Sequence, residues 1–172
     1  VFPGLMDIVG VKRSHPDSVT LLLGNHDLHY LPGVAPGGRM DNGRLPEIRE
    51  FLIENSGLFQ MTHVADAGGK RFLFSHAGGQ YGWMVANRNE LGTLDPDGVA
   101  ERLNGLWADP DGRPVLFRTL NQIPYSRWGR WLYGSPVWND ADDMDDSHEE
   151  LPGIYQVFGH TQQEFAPVIG DH

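Results

Sequence analysis

The sequence Leu21-Leu22-Leu23-Gly24-Asn25-His26-Asp27 joins an apolar run to a glycine and then to an amide, an imidazole and a carboxylate. Such a run predicts a buried strand, and the glycine permits a tight turn or a close approach of the backbone. Polar side chains on a loop that follows a rigid strand are typical of an active site. Taken alone, the stretch is also compatible with an ordinary Asn-His-Asp turn.

The same pattern occurs twice more along the chain. An apolar strand leads to a histidine in Phe72-Leu73-Phe74-Ser75-His76-Ala77-Gly78-Gly79 and again in Tyr155-Gln156-Val157-Phe158-Gly159-His160-Thr161. Histidines at equivalent strand ends are difficult to explain by packing alone, and imidazole is a common metal ligand. Asn25, His76 and His160 would offer one oxygen and two nitrogens at one sheet edge. This set suits Mn, Fe, Zn or Co better than Ca.

Three short blocks resemble the last three motifs of the calcineurin-like metallophosphoesterases and occur in that family's order. They are Gly24-Asn25-His26-Asp27, Ser75-His76-Ala77-Gly78 and Phe158-Gly159-His160-Thr161. The resemblance covers most of the chain, from about Val19 to Gln162. It leans toward the branch that holds serine/threonine protein phosphatases and symmetric diadenosine tetraphosphate hydrolases. It implies an α/β fold, a sandwich of two mixed β-sheets flanked by helices.

By this resemblance, Asn25, His76 and His160 bind the second metal of a centre with two divalent ions. Manganese is the first expectation, and Fe, Zn, Co or Ni are alternatives. Such a pair of ions clamps a phosphate oxygen and activates the attacking water. The resemblance makes His26 the general acid that protonates the leaving oxygen. Asp27 is a candidate to orient His26, and it is equally suited to cap the following turn.

Two other motifs of the family, Asp-x-His and Gly-Asp-x-x-Asp, do not occur upstream of Asn25. By resemblance, they would supply the ligands of the first metal and the bridging carboxylate. We therefore expect a fragment, incomplete at the N-terminus and also at the C-terminus, with little or no activity of its own. Residues 1–172 would form one partial phosphoesterase domain, with a Trp-rich cap or insert at about residues 80–136.

The segment from Leu31 to Gly43 is rich in glycine, proline and arginine, which predicts a long loop over the site. Arg39 and Arg44, in this loop and directly after it, are candidates for phosphate contact, because the guanidinium group matches the geometry of a phosphate. Solvated arginines are the alternative interpretation.

Composition restricts the class of protein. At 172 residues and 40% hydrophobic content, the chain is long enough for one domain with a hydrophobic core. The absence of cysteine excludes thiolate metal ligands and fits a cytoplasmic protein. A net charge of −10 argues against nucleic acid as a partner, and the lack of a long apolar run argues against a membrane. The acidic stretch from Asp140 to Glu150 is interpreted as a solvated loop rather than a calcium site.

Periodicity and turn signals predict alternating strands and helices. The predicted strands are Val19–Leu23, Phe59–Ala65 and Arg71–Ser75, the last two joined by a turn at Gly68-Gly69. One helix covers Pro46–Asn55, one opens at Asp95-Pro96 and buries Ala100, Leu103 and Trp107, and a third covers Arg113–Asn121. The tryptophans from Trp107 to Trp138 are interpreted as a cap over the core, with an aromatic substrate platform as the alternative.

These observations predict a metal-dependent phosphoesterase that hydrolyses phosphomonoesters by attack of a metal-activated water, with a phosphoprotein or a small phosphate ester as substrate. A symmetric dinucleoside polyphosphate hydrolase is the alternative. The order Asn25-His26-Asp27-Leu28-His29 favours that alternative, whereas Thr161 and Gln162 disfavour it. A binding or scaffold protein with a vestigial metal site is the alternative from another class.

Overall fold

The computed structural model describes residues 2–34, 38–147 and 150–162, which form two small β-sheets flanked by helices. This confirms the predicted mixed α/β class. The strands are β1 Leu21–Leu22, β2 Phe59–Gln60, β3 Thr62–Ala67, β4 Lys70–Ser75 and β5 Tyr155–Val157. The helices are α1 Phe2–Ser14, α2 Asn25–Leu28, α3 Leu45–Glu54, α4 Tyr81–Ala86, α5 Arg88–Leu91, α6 Pro96–Ala108, α7 Arg113–Leu120 and α8 Ala141–Ser147.

The first sheet holds the strand with which the sequence analysis began. Strand β1 pairs in parallel with β2, Leu21 opposite Phe59, and the amide of Leu23 extends the pairing by donating to Gln60 O at 2.9 Å. The strand is shorter than the predicted Val19–Leu23, and it runs straight into the single helical turn α2. In the described residues this sheet is wholly parallel, so only the second sheet is mixed, whereas two mixed sheets were predicted.

The second sheet has the order β3-β4-β5. Strands β3 and β4 form the predicted hairpin, and Gly68 and Gly69 at its turn have φ values of 58° and 74°. This backbone, favoured by glycine, matches the twist of a tight hairpin. Strand β5 pairs with β4 in parallel, with Phe74 opposite Val157. Parallel pairing directs the C-terminal ends of β4 and β5 to the same sheet edge.

Helix α6 covers the second sheet and forms part of the core. Its predicted start is confirmed, because Asp95 Oδ2 accepts the amide of Gly98 at 2.9 Å as an N-cap. The predicted inward face is also confirmed, with Ala100, Leu103 and Trp107 no more than 3% exposed. The core continues through α3, α7 and the residue after β1, where Ile48, Leu52, Leu116 and Leu23 have no exposed surface.

Asn104 connects α6 to the β2–β3 junction by three hydrogen bonds. Its Oδ1 accepts the amides of Met61 and Thr62 at 2.8 and 3.2 Å, and its Nδ2 donates to Thr62 O at 2.9 Å. The side chain therefore satisfies backbone groups at a point where the chain leaves one sheet and enters the other.

The interpretation of the acidic stretch from Asp140 to Glu150 as a solvated loop was wrong for most of its length. Residues 141–147 form helix α8, and the side chain of Asp140 is 16% exposed in an ion pair with Arg127. The acidic pattern concealed the helix because Asp142 and Asp143 lie in its first turn, where carboxylates complement the helix dipole.

Replacement of Asn104 with alanine should lower the free energy of unfolding by about 2–3 kcal/mol, because the substitution leaves the partly buried backbone groups of Met61 and Thr62 without partners. Urea denaturation followed by circular dichroism measures the change. Asn89→Ala is the matched control, since Asn89 is exposed on α5. Equal loss in both variants would contradict the role assigned to Asn104.

Candidate metal centre

The ends of three strands meet at the candidate site. Asn25 follows β1, while His76 and His160 follow the parallel pair β4 and β5. The amide of Gly159 donates to His76 O at 3.0 Å, which extends the β4–β5 pairing to the residue before His160. The sheet register therefore determines the separation of the two imidazoles, and their ring centroids lie 4.9 Å apart.

His76 Nε2 lies close to a donor atom of each of the other two candidate ligands. His76 Nε2 lies 3.0 Å from Asn25 Oδ1 and 3.0 Å from His160 Nδ1. Adjacent ligands at about 2.1 Å from a metal ion are themselves about 3 Å apart, so these separations fit one ion. In the part of the chain that the structure describes, no group of three or more His, Asp or Glu side chains could hold a metal. The candidate set is therefore two imidazoles and one amide.

The imidazole of His76 packs directly on Gly24. A Cβ atom on Gly24 would lie 2.6 Å from both Cε1 and Nδ1 of this ring, which is closer than van der Waals contact permits. The space beside Gly24 is therefore occupied by the side chain of a candidate ligand, His76. This packing explains the glycine before Asn25, whose φ of −106° any residue could adopt.

Both candidate histidines are neutral at physiological pH. Burial lowers the pKa of His76 to about 4, and positive charge on His160 and His26 acts in the same direction. Burial also lowers the pKa of His160 to about 4, with a further lowering by Arg127 and an opposing effect of Asp140. Neutral imidazoles keep a lone pair for a metal ion. His160 Nε2 is buried and has no hydrogen-bond partner among the described residues.

His26 and Asp27 lie in the helical turn α2, next to the donor set. His26 is exposed, and its charge is close enough to lower the pKa of His76 and of His160. Asp27 Oδ2 accepts the amide of Gly24 at 2.9 Å, so the carboxylate closes the turn. Burial raises the pKa of Asp27, although this hydrogen bond and His26 oppose the change. The catalytic assignments of His26 and Asp27 remain predictions.

Behind His26, the ring of His29 is 3% exposed and packs between His26 and Trp138, with centroid distances of 5.5 and 5.3 Å. Burial lowers the pKa of His29. Trp138 also lies edge-on to His160, with the centroids 6.1 Å apart. Nearby, Pro136 O accepts the amide of Ala77 at 2.8 Å. The segment that contains Pro136 and Trp138 thus forms one wall of the site.

Sequence reasoning missed a polar cluster beside His160. Arg127 Nη2 donates to Thr161 Oγ1 at 2.7 Å, and Arg127 Nε pairs with Asp140 Oδ2 at 2.7 Å. The amide of Ala141 donates to the same hydroxyl at 3.1 Å. These contacts hold the backbone on the C-terminal side of His160, whose φ of 69° is in the left-handed region. No spacing rule joins these residues, because they come from separate loops.

The two loop arginines lie outside this cluster. Arg39 is exposed with a φ of 64°, and Arg44 is exposed at the end of a 3₁₀ turn, Asn42–Arg44. Among the described residues, neither side chain forms a hydrogen bond or an ion pair, and their proposed contact with phosphate remains a prediction. Residues 35–37 of the expected loop over the site lie outside the described residues.

The fold and the site define an α/β protein with a candidate metal centre of histidine and asparagine at its sheet edge. A sequence model of the calcineurin-like phosphoesterase family matches residues 5–164. Because this match covers most of the chain, the chain belongs to that family. Members are metal-dependent hydrolases of phosphate esters and generally bind two divalent ions. A comparison with curated proteins found no matching sequence.

Replacement of Gly24 with alanine should weaken binding of Mn²⁺ by roughly 10- to 100-fold, as is usual when the support of a metal ligand is lost. The new methyl group would occupy the position of the His76 ring and displace it from Asn25. Isothermal titration calorimetry with MnCl₂ measures the affinity. Gly105→Ala on α6 is the control, because a Cβ there meets no atom within 4 Å. Unchanged affinity in Gly24→Ala would show that the ring packing is dispensable.

Proposed function

We propose that this protein hydrolyses phosphomonoesters, either of a phosphoprotein or of a small phosphate ester, at a centre that includes Asn25, His76 and His160. The observation that carries the proposal is the position of His76 Nε2, which lies 3.0 Å from Asn25 Oδ1 and 3.0 Å from His160 Nδ1. Such a mixed set of nitrogen and oxygen ligands suits manganese, and Fe, Zn, Co and Ni remain alternatives. Two such ions would be required for the full reaction of the family.

When bound, the ions supply the positive charge that holds the phosphate and activates the attacking water. The chain's own residues have separate tasks. Asn25 and His76 hold the metal side of the site, and the position of His26 on α2 suits it to donate a proton to the leaving oxygen. Asp27 closes the turn that carries His26 and thereby fixes its backbone. Arg39 and Arg44 are proposed to reach the phosphate from the adjacent loop.

The alternatives concern the substrate and the class of protein. A symmetric dinucleoside polyphosphate hydrolase would cleave diadenosine tetraphosphate in preference to p-nitrophenyl phosphate, so the two assays in parallel distinguish the substrates. A binding or scaffold protein with a vestigial site would neither bind metal nor cleave either compound. We propose a cytoplasmic location without nucleic acid or membrane as partner. Among the described helices, none combines the length and apolar character of a membrane span.

The first test replaces His76 with alanine. Because the substitution removes one of three donors, we expect the affinity for Mn²⁺ to fall by at least about 100-fold. Loss of a residue that only supports a ligand usually costs less, about 10- to 100-fold. Calorimetry and metal analysis measure binding. His15→Ala, at an exposed position after α1, is the control. Binding that is equal in both variants would rule out the proposed centre.

Activity is measured as Mn²⁺-dependent hydrolysis of p-nitrophenyl phosphate. We expect this chain alone to bind one ion and to turn over weakly, because the described residues supply ligands for one ion. A longer polypeptide that also carries the Asp-x-His and Gly-Asp-x-x-Asp motifs should bind two ions and turn over faster. If the longer polypeptide binds two ions without hydrolysis, the enzyme proposal is wrong.

Replacement of His26 with asparagine tests the proton donor in the active polypeptide. We expect kcat to fall by about 10²- to 10⁴-fold, the usual contribution of general acid catalysis, with the metal content unchanged. The loss should be larger for phenyl phosphate than for p-nitrophenyl phosphate, because the poorer leaving group has a greater need for a proton. His15→Asn is the control. An equal loss for both substrates would assign His26 a role other than proton donation.

A further inference from the structure

An exposed aromatic loop lies next to the candidate site. Tyr125, Trp128, Trp131 and Leu132 are 65%, 98%, 48% and 68% exposed, and we call these four residues the aromatic loop. Isolated apolar side chains are ordinary on a protein surface, whereas four exposed ones within eight residues of sequence are a candidate interaction site. Of the tryptophans predicted to cap the core, Trp107 is buried, whereas Trp128 projects into solvent.

The backbone holds Trp128 in this exposed position. Its φ is 62°, a conformation that is uncommon for a bulky residue. The amide of Trp128 donates to Tyr125 O at 3.0 Å, and the amide of Tyr125 donates to Trp131 O at 2.9 Å. Gly129 packs so closely on the chain that a Cβ would lie 1.9 Å from Ile123 O. The backbone that presents the exposed indole is therefore held by hydrogen bonds and close packing.

The aromatic loop is anchored to the site through its polar residues. Arg127 contacts Thr161, the residue after His160, and pairs with Asp140. Ser126 Oγ donates to Asp143 on α8. Since Trp128 follows Arg127 directly, the indole stands within a few residues of a candidate metal ligand.

A groove continues from the aromatic loop along α7. It has a volume of about 640 Å³, and Trp131, Phe117 and Leu31 contribute apolar surface to it. Among the described residues, Arg113 and Arg118 are the charged side chains that line it, and no described carboxylate does so. Arg113 is held over the ring of Trp107 at 4.5 Å, while Arg118 is largely exposed and only loosely paired with Glu90 at 3.8 Å. The groove is thus cationic in a protein of net charge −10.

We propose that the aromatic loop and this groove bind the polypeptide on one side of a phosphorylated residue, and that this segment carries apolar and acidic side chains. The inference rests on the proposed function and specifies a phosphoprotein as its substrate. The surface is broad, with Trp128 open on every side, which fits an extended chain better than the enclosed pocket that a nucleotide requires.

The test measures binding without turnover. The probe is a fluorescein-labelled phosphoserine peptide with leucine and glutamate residues after the phosphoserine, titrated with the full chain and followed by anisotropy. We expect Trp128→Asn to weaken binding at least about fivefold, the usual effect of removing an aromatic anchor. Arg118→Gln should weaken binding of this peptide and have less effect when glutamine replaces its glutamates.

Asparagine is chosen because it tolerates the left-handed backbone at position 128, so the melting temperature should equal or exceed that of the parent. Leu132→Ser is a second variant that leaves this backbone unaltered. Met6→Ala removes an equally exposed apolar side chain from α1 and should leave the affinity unchanged. Affinity for inorganic phosphate should be the same in all four variants, because it does not depend on the loop.

Several results would overturn the proposal. The first is that the parent does not bind the peptide at millimolar concentration. The second is that the parent, Trp128→Asn and Leu132→Ser bind it with equal affinity. The third is that adenosine monophosphate binds in the groove and displaces the peptide, and the fourth is that phosphatidylserine vesicles capture the protein in a way that depends on Trp128.

The proposed function fails separately. If p-nitrophenyl phosphate is hydrolysed but the loop variants bind the peptide normally, only the docking surface is wrong. If the peptide binds through Trp128 without any hydrolysis of phosphate esters by the longer polypeptide, only the enzyme proposal is wrong.

Discussion

The close packing of the His76 imidazole on Gly24 is the contact on which the rest of the site depends. Gly24 comes shortly after β1 of the first sheet and His76 directly after β4 of the second, so this contact brings the edges of two sheets together. It leaves His76 Nε2 within 3.0 Å of Asn25 on one side. The parallel pairing of β4 with β5 then places His160 on the other side. A donor set drawn from two sheets is rigid because none of its members relies on a long loop.

Part of the structure could be predicted from the sequence because the signals for it are local. A strand that ends in glycine and then in a polar ligand is a local pattern, and it is visible at Gly24-Asn25 and at Gly159-His160 without knowledge of the fold. The hairpin with Gly68-Gly69 and the cap at Asp95 are also local, since turn and cap chemistry act over a few residues. The structure confirms the hairpin and the N-cap, whereas the ligand roles of Asn25 and His160 remain predictions.

Sequence reasoning missed one set of non-local contacts and one local helix. The contacts of Arg127 with Asp140 and Thr161 join residues 13 to 34 positions apart, and no periodicity marks them. Helix α8 was mistaken for a loop because its carboxylates resemble a solvated run. Net charge also gave no indication of the local electrostatics: an acidic protein here surrounds its candidate site with neutral histidines and a paired arginine. Burial and pairing determine those charges, and both require the folded structure.

The pairing of β4 with β5 also has a consequence for the order of folding. His76 and His160 are 84 residues apart in the chain, and His76 and Asn25 are 51 apart. Contacts with such large sequence separation form late, because closing a long loop costs conformational entropy before any contact offsets it. The separation of 84 residues makes the approach of His76 to His160 the costlier of the two loop closures. Under the proposed function, a metal ion binds only after β4 and β5 have paired, so metal uptake would report this pairing rather than guide the start of folding.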